Sequence, residues 1–168
     1  MHSITADSLG ALLGAAGVTC SAPDAETDNG DYGAARLRAG AAELRYRAAR
    51  ITPKKAGAFV AVWRRAADGG TEPFPDDDGV SALVVGVQEG AAAGFFLVPA
   101  ATLRARGISS VGGRGGKRGF RLYPPWVAPS SAQARATQAW QLACFVPAGV
   151  GAAQALAAAL SGAANAEG

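Results

Sequence analysis

The stretch Val80-Ser81-Ala82-Leu83-Val84-Val85-Gly86-Val87 decides the fold, because nearly all of its side chains are apolar or small. A short apolar run without alternation is typical of a strand that is buried on both faces. Such a strand needs partner strands along its edges and a layer of packing on each side. We therefore expect residues 80–87 to form the centre of a β-sheet.

The sequence on either side of this run predicts more strands than helices. We expect further strands at residues 32–38, 43–51, 58–65, 94–98 and 120–123. Residues 32–38 and 43–51 flank Ala39-Gly40-Ala41-Ala42, which predicts a hairpin. Helices are expected at residues 4–16, at 99–106, and from Ser130 or Ser131 to about residue 145, with Gln133 placed for a capping box. The predicted fold class is a single α+β domain with a mostly antiparallel or mixed sheet flanked by helices.

The strand predicted at residues 43–51 carries a two-residue alternation. Leu44, Tyr46 and Ala48 alternate with Arg45 and Arg47. Because successive side chains of a strand point to opposite faces, we expect one hidden face and one face that presents the arginines.

Length and composition limit the function without choosing it. A chain of 168 residues with 49% hydrophobic residues suits one domain with one core. Cys20 and Cys144 lack a metal-site spacing, and His2 is the only histidine, which argues against histidine-dependent catalysis and histidine metal sites. Neither a signal-peptide pattern nor an apolar run of membrane-spanning length is evident, so we expect a cytoplasmic location and no membrane partner.

Charge alternates along the chain in blocks. Residues 1–31 carry five acids and no lysine or arginine, whereas residues 36–65 carry nine bases and one acid. Residues 68–89 carry six acids and no base, and residues 104–121 carry six bases and no acid. Folding can join the two basic blocks into one positive face, or it can pair them with the acidic blocks across the surface.

All three lysines of the chain, set against thirteen arginines, lie in two short basic motifs. One includes the Thr52-Pro53-Lys54-Lys55 turn, and the other is a glycine-rich segment at residues 112–121. Lysine, threonine, arginine and accessible backbone N–H groups commonly contact phosphate. The candidate phosphate-binding or nucleic-acid-binding residues are Arg47, Arg50, Thr52, Lys54, Lys55, Arg114, Lys117, Arg118 and Arg121.

Each motif also has a plainer interpretation. The first can be an ordinary solvated basic turn. The aromatic residues that follow the second, Phe120, Tyr123 and Trp126, can stack bases or close the core. Gln138 and Gln141 lie one helical turn apart, where they can read base edges, hold a phosphate or form a solvated helix face. Lys117 is followed by Arg118, so the segment is not a Walker A loop.

An ordered set of motifs resembles the MepB-like family of bacterial proteins. The set comprises Asp31-Tyr32-Gly33-Ala34, Arg47-Ala48-Ala49-Arg50-Ile51-Thr52-Pro53-Lys54-Lys55, Phe95-Phe96-Leu97-Val98-Pro99, Lys117-Arg118-Gly119-Phe120-Arg121-Leu122-Tyr123-Pro124 and Thr137-Gln138-Ala139-Trp140-Gln141. Arg50 stands where the family pattern usually has lysine.

The resemblance implies a compact α/β domain with a sheet similar to those of nuclease-type folds, and it implies nucleic-acid association. It places the family core at residues 26–146. Residues 1–25, which we interpret as a helix and an acidic loop, then precede the core, and the alanine-rich tail at residues 147–168 follows it.

The predicted function is binding of a phosphate-bearing partner, above all nucleic acid, without a cofactor. One alternative is a metal-dependent nuclease in which Asp31 and Glu43 hold Mg²⁺. Against it, Glu43-Leu44-Arg45 lacks the acid-x-lysine element, and Glu43 can instead be a surface partner of an arginine. Asp76-Asp77-Asp78 predicts a solvated loop rather than a metal cluster. A third possibility is a module that binds an acidic protein or a small phosphorylated ligand. The sequence predicts no oligomeric state.

Overall fold

The computed structural model describes residues 4–165 and has the predicted α+β architecture. Its helices are α1 (Ala6–Ala15), α2 (Ala100–Ala105), α3 (Ala132–Leu142) and α4 (Ala152–Asn165), with a 3-10 turn at Gly30–Tyr32. Its strands are β1 (Asp24–Ala25), β2 (Ala35–Ala39), β3 (Ala42–Ala48), β4 (Arg50–Ile51), β5 (Ala58–Ala61), β6 (Trp63–Arg65), β7 (Thr71–Pro73), β8 (Ala82–Glu89), β9 (Ala92–Pro99), β10 (Gly119–Leu122) and β11 (Phe145–Pro147).

The apolar run at residues 80–87 supplies β8, a central strand of a six-stranded sheet, as predicted. The strand order is β1-β2-β3-β8-β9-β11, and residues 82–87 are buried. β8 pairs parallel with β3 and antiparallel with β9, and β2 and β3 form the predicted hairpin. A parallel pair requires a long crossover connection. Here that connection, residues 49–81, contains β4 to β7, and it carries Arg50, Thr52, Lys54 and Lys55 of the first basic motif.

Two apolar clusters cover the two faces of the six-stranded sheet. On one face, α1 and α4 contribute Leu9, Leu13 and Leu156, which pack with Tyr46 and Phe95. The other cluster joins β8 and β9 to the smaller strands and to α2. Fully burying one such leucine side chain stabilises the fold by about 1.5–3 kcal/mol relative to leaving it exposed. The double cover explains why β8 has no polar face.

A second, three-stranded sheet has the antiparallel order β10-β5-β4. Its inner face carries Ala58, Val60 and Leu122, which are fully buried in the second cluster. Its outer face carries Phe59, which is paired with Arg50 on one side and with Arg121 on the other. The small sheet therefore lies on the large one and presents two arginines and a phenylalanine outward.

Several local expectations need correction in detail. Ser131 caps α3 by accepting a hydrogen bond from the Ala134 N–H, so Gln133 does not occupy the capping-box position. The predicted strand at 43–51 divides at Ala49 into β3 and β4, and the one at 58–65 divides at Val62 into β5 and β6. Each division lets the chain leave one sheet and enter another. Residues 152–165 of the alanine-rich tail form α4.

Candidate phosphate-binding site

Six arginines have a carboxylate partner, so part of the first basic block pairs with the acidic blocks. Glu43 lies within 3.5 Å of Arg36 and 3.7 Å of Arg38. The remaining pairs are Arg45 with Asp78 at 2.9 Å, Arg47 with Glu26 at 2.9 Å, Arg64 with Glu72 at 2.7 Å and Arg104 with Asp76 at 3.0 Å. These contacts neutralise the hairpin β2–β3 and the segments beside it.

Arg45 and Arg47 are buried, contrary to the expectation that β3 presents its arginines. Arg47 is 0% exposed, and it donates to a Glu26 carboxylate oxygen, to Asn29 Oδ1 and to its own strand's Tyr46 carbonyl. Burial lowers the pKa of the Arg47 guanidinium, and the nearby Glu26 carboxylate opposes that change. Because its guanidinium is enclosed, we leave Arg47 out of the candidate surface.

The Arg47 cluster fastens the segment before β2 to the sheet. The Asn29 Oδ1 atom that accepts from Arg47 also accepts a hydrogen bond from the Trp63 backbone N–H at 3.3 Å. Asn29 itself adopts the left-handed backbone conformation, with a φ of 62°. The Arg45 guanidinium lies 3.5 Å from the centre of the Phe74 ring. Phe74 therefore covers the arginine face of β3, and this face becomes interior.

A second group of basic residues has no carboxylate within 4.0 Å of the side-chain cation among residues 4–165. Its members are Arg50, Lys54, Lys55, Arg65, Arg106, Arg114, Lys117, Arg118, Arg121 and Arg135. All three lysines belong to it. Much of the positive charge that remains without a carboxylate partner thus comes from the two motifs singled out in the sequence.

The two basic motifs meet on the outer face of the small sheet. Arg121 of β10 donates to the Thr52 hydroxyl at 2.8 Å and to the Ala56 carbonyl at 3.2 Å. The sheet register places Arg50, Phe59 and Arg121 in one row across β4, β5 and β10. Residues 69 positions apart in the chain are therefore in direct contact, which joins the Thr-Pro turn to the strand that follows the glycine-rich segment.

The Tyr32 ring lies beside this row, and we call the row together with Tyr32 the platform: Tyr32, Arg50, Phe59 and Arg121. The Tyr32 and Phe59 ring centres are 6.3 Å apart in an edge-to-face arrangement. The Arg50 guanidinium lies 5.9 Å from the Tyr32 ring centre, and that of Arg121 lies 6.0 Å from the Phe59 ring centre. Both rings are half-buried. The platform thus combines cations with partly accessible aromatic surface.

Gly119 lets the Phe59 ring lie flat along the sheet. A Cβ atom at Gly119 would lie 2.4 Å from the end of the Phe59 ring, closer than nonbonded carbons approach. A side chain at this position would therefore displace the ring from between the arginines. The glycine of the Lys-Arg-Gly-Phe-Arg motif serves packing of the platform as well as chain flexibility.

A cleft of about 330 Å³ lies beside the platform, between β10 and α3. Its basic lining residues are Arg106, Lys117 and Arg121, and its aromatic lining includes Tyr123 and Trp140. No aspartate or glutamate from the described part of the chain lines it. Arg121 belongs both to the cleft and to the platform, so the two features form one continuous basic surface.

Gln138 and Gln141 hold α3 against β10. Gln141 is 0% exposed; its side-chain oxygen accepts from the Tyr123 N–H at 2.8 Å, and its Nε2 donates to the Arg121 carbonyl at 2.8 Å. Gln138 Nε2 donates to the Val127 carbonyl at 2.7 Å and contacts the Pro124 and Tyr123 carbonyls. The buried amide of Gln141 cannot reach a ligand outside, so we assign both residues to fixing the walls of the cleft.

The remaining predicted residues lie around the platform. Lys54 and Lys55 are exposed in the turn between β4 and β5. Arg118 directly precedes β10 and donates to the Thr71 carbonyl and hydroxyl. Arg114 is exposed in a tight turn closed by a bridge between Val111 and Arg114. The lysines therefore border the platform, whereas Arg118 is engaged with β7.

The carboxylates proposed for a nuclease lie at opposite ends of the hairpin. Glu43 is next to the β2–β3 turn and pairs with Arg36 and Arg38. This agrees with the alternative prediction that Glu43 is a surface partner of an arginine. Asp31 lies in the 3-10 turn that precedes the open end of β2. No group of three or more His, Cys, Asp or Glu side chains suited to a metal ion occurs within residues 4–165. Asp76 and Asp78 are ion-paired rather than simply solvated.

Sequence reasoning missed four residues of this surface. Tyr32 and Phe59 looked like ordinary strand residues, although Phe59 stands in the alternating position opposite the buried Ala58 and Val60. Arg106 and Trp140 come from the end of α2 and from α3, and the Arg106 guanidinium lies 5.3 Å from the Trp140 ring centre. Arg106 belongs to the second basic block, which is the sequence feature that points to it. No local pattern in the sequence predicts its contact with Trp140.

No helix within residues 4–165 is long and apolar enough to cross a membrane.

Burial raises the pKa of the Cys144 thiol, and the nearby Arg106 guanidinium opposes that change. Cys20 and Cys144 are both free thiols.

Comparisons with known proteins agree with the motif resemblance. No curated protein matches the chain significantly. A crystal structure of MepB superimposes with a TM-score of 0.74 at 29% sequence identity, covering 77% of this chain and 87% of that one. The family model described as MepB-like matches residues 26–147, close to the predicted core. This chain therefore belongs to the MepB-like family.

Proposed function

We propose that this protein binds a phosphate-bearing partner, above all nucleic acid, through the platform and the lysines that border it. The observation that supports this most directly is the row Arg50–Phe59–Arg121, which joins both basic motifs on an outward face. Neither arginine has a carboxylate partner within residues 4–165. The fold places two guanidinium groups and the turn lysines where a polyanion can approach.

The chemistry of the side chains suits this role. A guanidinium presents a planar set of donors that matches phosphate oxygens in pairs, whereas an ammonium on a flexible stem follows phosphates as a point charge. The hydrogen bonds to Thr52 and Ala56 hold the Arg121 guanidinium in place before any ligand arrives. A preoriented cation loses less conformational entropy on binding than a mobile one.

The aromatic rings favour a partner with bases over a simple polyanion. Phe59 and Tyr32 are half-buried beside the arginines, so their accessible edges and faces lie next to positive charge. Stacking of a base on an aromatic ring contributes about 1–3 kcal/mol, largely independent of sequence. The cytoplasmic location expected from the sequence gives such a surface access to nucleic acid.

The test is fluorescence anisotropy with a labelled 12-nucleotide single strand, read across a series of salt concentrations. The test variant changes all three lysines, Lys54, Lys55 and Lys117, to Gln. The matched control changes Arg38, Arg64 and Arg104 to Gln, which removes the same number of charges from ion-paired positions. Circular dichroism and thermal unfolding confirm that both triple variants are folded.

We expect the lysine variant to bind at least about tenfold more weakly than the wild type at low salt, with the salt slope reduced by about 2. The control should bind within about threefold of the wild type, because its arginines are already neutralised by carboxylates. Absence of binding by the wild type at low salt refutes the proposal. Equal losses in the two variants also refute it, since the net charge alone then explains the binding.

A further inference from the structure

The cleft between β10 and α3 has the size of a site for one small ligand. Its volume of about 330 Å³ lies at the lower end of the roughly 300–1,000 Å³ that small-molecule pockets occupy. A duplex does not fit into such a space, whereas a single nucleotide does. The platform beside it is a sheet face rather than a cleft. We therefore expect the platform and the cleft to contact different parts of a partner.

The lining of the cleft supplies both kinds of contact that a nucleotide needs. Arg106, Lys117 and Arg121 provide positive charge from three separate elements, and the lining residues described include no carboxylate. Trp140 and Tyr123 provide aromatic surface, and Ser131, Gln133 and Thr137 provide polar groups. Cations next to an aromatic wall are the combination that holds a phosphate and a planar base together.

The walls of the cleft are fixed by buried hydrogen bonds. Gln141 bridges α3 to the backbone of β10 on both sides of Leu122, and Gln138 bridges α3 to the turn that follows. Loss of either side chain would leave partly buried backbone groups without their hydrogen-bond partner, which proteins rarely tolerate. The cleft is therefore a formed feature of the fold rather than a gap between loosely packed elements.

We propose that the cleft takes one unpaired nucleotide, with its phosphate among Arg106, Lys117 and Arg121 and its base against Trp140. This inference rests on the proposed function and deepens it. Because Arg121 also belongs to the platform, a single strand crossing the platform can place its end nucleotide in the cleft. The same chemistry admits a free nucleotide, and the experiment separates these two sources.

The experiment follows the indole N–H signal of Trp140 in ¹H–¹⁵N spectra of the full chain. Three tryptophans give three such signals, and Trp140→Phe assigns the relevant one. Trp126, whose indole donates to Glu89 outside the cleft, serves as the internal reference. The probes are AMP, adenosine and the unlabelled 12-nucleotide single strand. Arg106→Gln is the test variant, and Arg135→Gln on the exposed part of α3 is the matched control.

We expect AMP or the single strand to shift the Trp140 signal at saturating concentration, with adenosine binding at least about tenfold more weakly than AMP because it lacks the phosphate. Arg106→Gln should weaken AMP binding about tenfold, whereas Arg135→Gln should change it by less than twofold. A shift with AMP identifies a free nucleotide as sufficient. A shift with the single strand alone identifies the nucleotide as part of a strand.

Failure of this inference differs from failure of the proposed function. If the single strand binds by anisotropy but leaves the Trp140 signal unmoved, and Arg106→Gln binds like Arg135→Gln, the cleft is not a nucleotide site and the platform alone carries the binding. If AMP and adenosine bind equally, the phosphate role of the cleft is refuted. If the single strand does not bind at low salt in either assay, the proposed function itself fails.

Discussion

Arg47 and Arg50 lie three positions apart in one basic motif, yet the fold gives them opposite environments. Arg47 is on β3 of the six-stranded sheet, fully buried and bonded to Glu26 and Asn29. Arg50 is on β4 of the three-stranded sheet, exposed and near Tyr32. The chain crosses from one sheet to the other at Ala49. A run of basic residues can therefore serve the core at one end and remain exposed at the other.

The same division holds for the two sheets as wholes. The arginines of β2 and β3 have carboxylate partners, so the large sheet uses its positive charge internally. The arginines of the platform have none within the described residues, so the small sheet keeps its charge available. Both outcomes that the alternating charge blocks allowed, pairing across the surface and convergence into a positive face, occur in different halves of the molecule.

The largest expected effect is a loss of stability when Arg47 is replaced, which tests the contrast between the buried Arg47 and the exposed Arg50. Arg47→Met keeps an unbranched apolar stem but removes the guanidinium, so Glu26 and Asn29 lose their hydrogen bonds to it. Breaking a buried ion pair by removing one member costs about 3–5 kcal/mol of unfolding free energy. Because Glu26 is partly exposed, we expect a loss at the lower end, about 3 kcal/mol. Urea unfolding measures it. Arg50→Met is the matched control and should change the free energy of unfolding by less than about 0.5 kcal/mol.

Equal unfolding midpoints for Arg47→Met and Arg50→Met would contradict the assignment of Arg47 to the interior. In that case the Glu26–Arg47–Asn29 cluster contributes nothing to holding the segment before β2, and Arg47 returns to the set of candidate surface residues.

A second substitution tests how closely the small sheet is built. Gly57 has φ 82°, and a Cβ atom there would lie 2.5 Å from the Leu122 carbonyl oxygen. Gly57→Ala combines backbone strain with a clash against β10, so we expect a loss of about 2–3 kcal/mol in unfolding free energy. The control is Gly115→Ala, which also has a positive φ of 70° but meets no atom within 4 Å. It should lose about 1 kcal/mol. Comparable losses would show that the close approach to β10 is unimportant.

A third prediction concerns pH and the interior of the large sheet. Burial raises the pKa of the Tyr46 phenol, whose hydroxyl has no hydrogen-bond partner among the described residues. Above the ordinary tyrosine pKa of about 10, the unfolded chain loses the phenol proton before the folded chain does. The free energy of unfolding therefore falls as the pH rises, by up to about 1.4 kcal/mol per pH unit.

Tyr46→Phe should remove this part of the alkaline loss and leave the stability at pH 7 unchanged or slightly higher, because no hydrogen bond is given up. Urea unfolding of wild type and variant at pH 7, 9 and 11 provides the measurement. Parallel pH profiles of the two proteins would mean that the phenol is not locked in the interior.

The smallest effect sharpens the comparison on the ligand side. Gly119→Ala should push the Phe59 ring from its place between Arg50 and Arg121, and it also brings a Cβ atom to 3.0 Å from the Val60 carbonyl oxygen, so thermal unfolding accompanies the binding measurement. We expect single-strand affinity to fall about fivefold, within the range that loss of one stacked base produces. Gly112→Ala, which meets no atom within 4 Å but has a positive φ of 59°, is the control for flexibility of the glycine-rich segment. If the control loses as much affinity as Gly119→Ala, segment flexibility matters and ring placement does not.

Some of the site could be predicted from residues alone. Thr52 and Arg121 were both named from phosphate-contact chemistry, and the structure joins them by a hydrogen bond. Gln141 was named as well, but its amide is used on the backbone of β10, which the i, i+3 spacing on a helix could not reveal. Arg106 and Trp140 were absent from the prediction, because their contact depends on how α2 and α3 pack on the sheets.

The sequence by itself determined the central strand, which the structure places at Ala82–Glu89, and also the hairpin, the helices α1, α2 and α3 and the presence of two basic motifs. These depend on side-chain polarity and turn chemistry within a few residues. Only the tertiary structure decided which basic residues are neutralised. Glu26 and Arg47 are 21 positions apart, and their contact forms where the segment before β2 packs on β3. Thr52 and Arg121 are 69 positions apart, and the crossover between β3 and β8 brings Thr52 to β10. Charge is a local property of a sequence, but its availability to a ligand depends on partners that folding brings from far along the chain.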